Sequence, residues 1–190
     1  MLITIAELKA RYGGQIGSSP DEDTLNWAIA QGQSMCEDWC GLTFDKEEGR
    51  VEYQDAVYHA EQIYLDKYNV DSTATFSLRY SSSFAWGDSS DIDTDSYHID
   101  YTKGIIYLQT DYSPHELAWR ITYTAGWTSA NAPDALKTAV ADMAVALYER
   151  KQKGNIGVTE DAVAANTRRY QEGIPPAIMK ALEPYRRHIW

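Results

Sequence analysis

Asp91-Ile-Asp93-Thr-Asp95 is the stretch that comes nearest to metal chemistry, because three carboxylates at alternate positions open many calcium loops. The remainder does not follow. Ser96 stands where such a loop needs glycine for its sharp turn, and Thr102 where it needs a bidentate glutamate. A solvated Ser/Asp loop is the expected structure. Cys36 and Cys40 are four residues apart on a predicted helix, a geometry that suits neither a local disulfide nor a zinc site without further ligands. They read as reduced, half-buried thiols, which fits an intracellular site of synthesis. His59, His98, His115 and His188 show no ligand spacing, and the chain holds no Gly-rich phosphate loop, no G-x-S-x-G and no H-E-x-x-H. No catalytic residue, metal ligand or cofactor is therefore assigned. A hydrolase that uses the acidic β-region is a remote alternative.

Two other places carry residues suited to binding. Ser81–Ser90 is a tract built to be solvated, yet it contains Phe84 and Trp86. Both rings either anchor a partner or fold back onto a sheet, and both readings stay open. The chain finishes Tyr185-Arg-Arg-His-Ile-Trp190. Arg186 and Arg187 beside Tyr185 and Trp190 match the arginine and aromatic enrichment of interface anchors. Ile189 and Trp190 either pack on their own helix or insert into a neighbour.

The formal charge over 190 residues is −11, which argues against a nucleic-acid backbone as the main ligand. The charge is unevenly placed: residues 1–149 carry nine basic and twenty-four acidic residues, residues 150–190 eight and four. An acidic body with a basic tail suits a tail that docks on something acidic. No secretory-signal pattern opens the chain, and no apolar run is long enough to span a membrane.

The elements that must position these residues are legible from periodicity. Thr4 with Glu7 forms a capping box for a short helix that Gly13-Gly14 should stop. Ser19-Pro-Asp-Glu22 forms a second box, and the helix it starts carries Leu25, Ala28, Ile29, Gly32, Cys36 and Trp39 on one stripe up to Gly41. Gly32 within that stripe predicts a close approach by another helix. From about residue 44 the period changes to 2, and five or six short strands are expected within residues 50–125. The last strand, Trp119–Thr124, stops at Gly126, and Pro133 opens a core helix carrying Leu136, Val140, Met143 and Leu147. Tyr123, Gly126, Trp127 and Pro133 thus form a fold junction, read as scaffold. Residues 154–173 read as a loop with a weak helix start at Thr159. Pro175-Pro176 begins a last helix with Ile178, Ala181, Leu182 and Tyr185 on one face, and Pro184 should kink or end it. The expected class is α+β. Residues 1–43 and 130–190 make a helical bundle with a C-terminal docking arm, and residues 44–129 an inserted β-rich module, a small antiparallel sandwich or barrel.

The order of elements carries a resemblance. Tyr123-Thr-Ala-Gly-Trp127, then Pro133, Leu136, Lys137 and Ala139, a long helix ending Leu147-Tyr-Glu-Arg150, and a last helix with Leu182, Tyr185, Arg186 and Arg187 together resemble the head–tail connector (adaptor, or head-completion) proteins of tailed bacteriophages. Asp23, Leu25 and Ile29 fit the N-terminal helix of that pattern. The β-insert is not covered by it. The resemblance implies a structural virion protein, made in the bacterial host cytoplasm, whose copies form a ring, usually of twelve, below the portal. The ring would extend the DNA channel without binding DNA specifically and offer a platform to the tail or the next connector protein. It implies a portal-binding arm, here Ile174, Ile178, Leu182, Tyr185, Arg186, Arg187, Ile189 and Trp190. The alternative is another ring or tail-completion protein of the same particle. Acidic subunits repel one another, so a monomer or weak oligomer is expected for the protein alone.

Overall fold

The computed structural model describes residues 1–17, 20–57, 61–84, 86, 90–152, 160–163, 166–169 and 173–187. The chain is α+β and divides into two compact units, residues 1–44 with 128–190, and residues 45–127.

The first unit holds the helices. Helix α1 (Ile5–Ile16) starts on the expected box: Thr4 Oγ1 accepts from the Glu7 amide and Glu7 accepts from the Thr4 amide. It does not stop at Gly13-Gly14. A non-helical Tyr12 (φ −128°) kinks it, and it continues to Gly17 at φ +82°. Burial of Ile16 outweighs the poor helix propensity of the two glycines. Helix α2 (Glu22–Cys40) is capped by Asp21, whose side chain accepts from the Thr24 amide, so the cap lies two residues beyond the expected Ser19, itself outside the described residues. Gly41 ends it in the left-handed conformation at φ +71°, donating to Glu37 O at 2.8 Å.

Helix α3 (Asp134–Gln152) buries Leu136, Ala139, Val140, Met143 and Ala144. Pro133 sits one position before the helix, where its carbonyl accepts the first intrahelical bond from the Lys137 amide at 3.0 Å. Helices α2 and α3 meet at Gly32, where a Cβ would lie 2.9 Å from the Ala144 backbone nitrogen. Helix α1 is tied to α3 by polar contacts: Lys137 to Glu7 at 3.2 Å, Arg11 to Thr138 at 2.8 Å, and Tyr12 to Asp142. After α3, residues expected to be a loop pair instead: strands β7 (Glu160–Val163) and β8 (Asn166–Arg169) are antiparallel, with Glu160 opposite Arg169. Four residues a side give too few alternations to register as a period. Helix α4 (Pro176–Leu182) packs on α3 and α2, and Pro184 ends it by lying in a 3-10 turn, Glu183–Tyr185.

The second unit has six strands among the described residues: β1 (Glu47–Ala56), β2 (Gln62–Tyr64), β3 (Ser77–Tyr80), β4 (Tyr97–Asp100), β5 (Ile105–Leu108) and β6 (His115–Ala125). They form two antiparallel three-stranded sheets, ordered β1-β6-β3 and β2-β5-β4. Alternation sends Leu78, Trp119, Ile121 and Tyr123 from one sheet, and Ile63, Ile99 and Ile106 from the other, into one shared core. The two ends of the unit are pinned together. Asp45 bridges Trp127, and the Lys46 amide donates to Trp127 O at 2.9 Å. Gly126, at φ +100°, donates to the carbonyls of Tyr68 and Asn69, while its own carbonyl accepts from Asn69 Nδ2 at 2.7 Å.

Tyr123 is fully buried and donates to Glu52 Oε2 at 2.5 Å. Glu52, only 5% exposed, also accepts from Gln54 and from the Asp66 amide, and Arg50 spans Glu47 and Asp66 beside it. Burial raises the Glu52 carboxyl above its ordinary range, against the lowering effect of the Tyr123 hydrogen bond. Burial, then the Glu52 charge, raises the Tyr123 phenol.

Two substitutions test these contacts. In an open helix Gly→Ala gains about 1 kcal/mol. Gly32→Ala is expected to lose about 1–3 kcal/mol in urea unfolding, because the new methyl meets α3 backbone. Glu52→Ala should cost about 2–4 kcal/mol by orphaning Tyr123 and Asp66, and Glu52→Gln distinctly less. The raised Glu52 pKa stabilises the fold below the ordinary glutamate range, and that contribution is lost as pH rises through the folded value. Thermal melts should therefore show wild type gaining on Glu52→Gln as pH falls from about 7 to about 4.

Candidate functional site

The acidic stretch Asp91–Asp95 is already engaged. Asp91 accepts from Arg79 Nε at 2.6 Å and Ser77 Oγ at 2.7 Å, and Arg79 holds its carboxyl below the usual range. Asp93 caps the 3-10 turn Thr94–Ser96 through the Asp95 amide. No group of three or more potential metal ligands occurs among the described residues. Cys36 and Cys40 are both buried, and burial pushes each thiol up to about 12, so neither supplies a thiolate at neutral pH.

Two surfaces gather the residues singled out for binding. The first is the C-terminal arm. Ile178 and Leu182 are 5% and 0% exposed, turned into the helical unit. They are anchors of the arm and not part of a free docking face, because a two-turn helix needs its apolar stripe buried to persist. Ile174 is half-buried at the arm's start. Beyond the anchors, Tyr185 is half-buried and Arg186 is exposed, its guanidinium 5.3 Å from the centre of the Trp39 ring. The Arg187 amide donates to Cys40 O at 2.7 Å, satisfying a carbonyl at the end of α2. Between them lies a groove of about 450 Å³ lined by Asp38, Trp39, Cys40, Gly41, Glu183, Arg186 and Arg187. Ile189 and Trp190 lie outside the described residues.

The second surface is the side of β1-β6-β3 turned away from the core. The aromatic loop divides there between its two readings. Trp86 is half-buried, with its ring 4.9 Å from that of Tyr53. Phe84 stays 48% exposed at φ +59°, in edge contact with Trp86 at 5.8 Å and His115 at 5.1 Å. Leu117 is likewise 46% exposed at φ +45°, with its amide bound to Asp55. Tyr53, Leu117 and the neighbouring Arg120 were not singled out by sequence motifs. The signal of Tyr53 and Arg120 is alternation opposite to the core-facing Glu52, Trp119 and Ile121, and it needs the cross-strand register to become a surface. Leu117 shares the parity of Trp119 and is exposed where the β1–β6 register shifts, at a positive φ that alternation does not show. Tyr123, Gly126 and Trp127 are buried and face no open surface, and Pro133, half-buried, acts like Gly126 through backbone bonds.

No helix among the described residues is long and apolar enough to cross a membrane. No curated protein matches the chain. Among the solved structures that share its fold are three from gene transfer agent (GTA) particles. A chain from the neck of an empty GTA particle computed with C6 symmetry is 16% identical, with TM-score 0.58, covering 100% of this chain and 91% of that one. A chain from the virion of a native gene transfer agent (GTA) particle is 15% identical, with TM-score 0.55 and the same coverage, 100% and 91%. A chain from the neck of a native GTA particle computed with C12 symmetry is 16% identical, with TM-score 0.54, covering 100% and 96%. At these identities the likeness is one of fold. The sequence itself matches the head completion protein family over residues 1–188, nearly its whole length, and the chain belongs to that family.

Proposed function

We propose that this protein is a structural connector of a phage-like virion, whose copies form a ring that joins the portal to the tail and extends the DNA channel. The observation that carries the reading is the family match over residues 1–188. The likeness of the whole chain to chains in particle necks computed with C6 and C12 symmetry supports it. In this reading residues 1–43 and 130–190 act as a helical bundle, and residues 44–129 as an inserted small sandwich or barrel. The ring holds twelve copies. A body with fifteen more acidic than basic residues in positions 1–149 suits a channel through which DNA slides, because like charge prevents sticking. The protein's role is assembly and not catalysis.

The portal contact is assigned to the C-terminal segment. Ile178 and Leu182 hold it on the helical unit, and Tyr185, Arg186 and Arg187, with Ile189 and Trp190 beyond them, meet the portal. The Arg186–Trp39 pair supplies the kind of arginine and aromatic anchor that dominates interface energetics. Partner contacts with the tail or the next connector protein fall on other faces of the ring.

Deleting residues 174–190 would also strip Ile178 and Leu182 from the core, so the sharper test keeps the anchors. Arg186→Glu with Arg187→Glu should weaken binding to the particle's portal at least about tenfold by calorimetry, with the melting temperature nearly unchanged. Unchanged affinity in a folded double variant would remove the arm from the portal contact. Alone, at physiological salt, the protein should scatter light as a monomer or weak oligomer, since subunits of net charge −11 repel each other. A stable closed ring without portal would contradict this.

A further inference from the structure

The β-unit is strongly acidic: residues 45–127 contain fifteen Asp and Glu against six Lys and Arg. Among the described residues, five of those six cations are ion-paired. Lys46 meets Asp71 at 2.9 Å, Arg50 meets Glu47 at 3.0 Å, and Lys67 meets Glu47 at 3.2 Å. Arg79 meets Asp91 at 2.6 Å, and Lys103 meets Asp100 at 3.9 Å. Arg120 is the exception. Among the described residues its side chain has no ion pair and no hydrogen bond, and its Nε is buried without a partner. Its charge reaches Asp91, but that carboxylate is held by Arg79 and Ser77.

The position of Arg120 adds to its chemistry. It lies midway along the central strand β6, on the side turned away from the core, with Tyr53 opposite it on β1 and Arg79 opposite it on β3. Like charges directly across a sheet are unfavourable. Apolar groups surround the pair: Val51 and Tyr53 are 42% and 45% exposed, and Trp86 leans on Tyr53. An arginine set among half-exposed aromatic rings has the composition of a binding hot spot. The rings are tilted by 55° and 71° to one another. They form no flat platform of the kind a sugar or a base stacks on, so the face suits the side chains of another protein.

We infer that this face, centred on Arg120 and Tyr53, binds the acidic β-unit of a second copy of the chain. The inference rests on the ring reading above and names the surface that would join neighbours. Charge complementarity selects the occupant. The unit has carboxylates in excess, with Glu48, Asp93 and Glu116 exposed, and among the described residues Arg120 is its one cation outside an ion pair. Geometry agrees. The two sheets share a core, so their outer faces point in opposite directions, and the other face presents Gln62, Tyr64, His98, Asp100 and Tyr107. A contact between unlike faces is heterologous and repeats around a ring.

Sedimentation velocity on the full chain tests this, run as a concentration series up to about 1 mM in about 0.3 M salt, where repulsion between acidic bodies is screened. Wild type should associate reversibly. Arg120→Glu and Tyr53→Ser should each weaken association at least about tenfold. Arg120→Glu places an opposite charge beside Arg79, so its melting temperature should hold or rise. A wild type that stays monomeric throughout, or variants that associate as well as wild type, would overturn the inference. So would an Arg120→Glu variant that self-associates normally but loses portal or tail binding, since the face would then serve another protein. Portal binding by wild type reports separately on the connector reading, and the Arg186→Glu/Arg187→Glu variant on the arm's part in it.

Discussion

The β-unit depends on one closure. The chain enters it at Asp45-Lys46 and leaves it at Trp127, and these two points are hydrogen-bonded to each other. Everything between them can therefore fold as a loop whose ends are already held, which limits the entropy lost in bringing distant strands together. Gly126 makes the closure possible. At φ +100° it turns the chain out of β6 while its amide donates to the carbonyls of Tyr68 and Asn69 and its carbonyl accepts from the Asn69 side chain. A side chain there would be strained whatever its size. The buried Glu52–Tyr123 pair then fixes the register of β1 against β6, since a slip by one residue would turn Glu52 to the outer face and leave the buried Tyr123 hydroxyl without its acceptor.

The helical unit follows a different rule. Its packing rests on contact between backbones, with Gly32 of α2 lying against Met143 and Ala144 of α3. Small residues at such a crossing bring two helices close and remove rotamer freedom from the interface. Helix α4 adds only two buried residues, Ile178 and Leu182, yet this places Tyr185–Arg187 over the end of α2. Here a short apolar stripe positions a polar tip. The energy of the anchor and the chemistry of the tip belong to different residues.

Much of this was legible from local pattern. The capping box at Thr4, the stop at Gly41, the meeting at Gly32 and the strand before Gly126 all arise from contacts within a few residues or from one stripe, and periodicity reports these directly. What escaped needed long-range partners. Helix α1 runs through Gly13-Gly14 because Ile16 is buried, a tertiary gain that propensity does not contain. The β7–β8 pairing is too short to show a period. At the candidate site, the arm's charge and aromaticity could be read from composition, but the burial of Ile178 and Leu182 could not be separated from exposure by spacing alone. Arg120 looked like any polar residue on an alternating strand. Only the register, which sets it beside Arg79 and Tyr53, and the ion pairing of the other five cations make it conspicuous.

The two cysteines, the only ones in the sequence, have a practical corollary. Both are sealed inside the helical unit with thiols pushed up to about 12. A thiol held neutral and covered reacts slowly with maleimides or iodoacetamides. A cysteine introduced anywhere on the surface would thus take a fluorophore or spin label ahead of the native pair, with no need for a cysteine-free background. The molecule comes ready for site-specific distance measurements in an assembled particle.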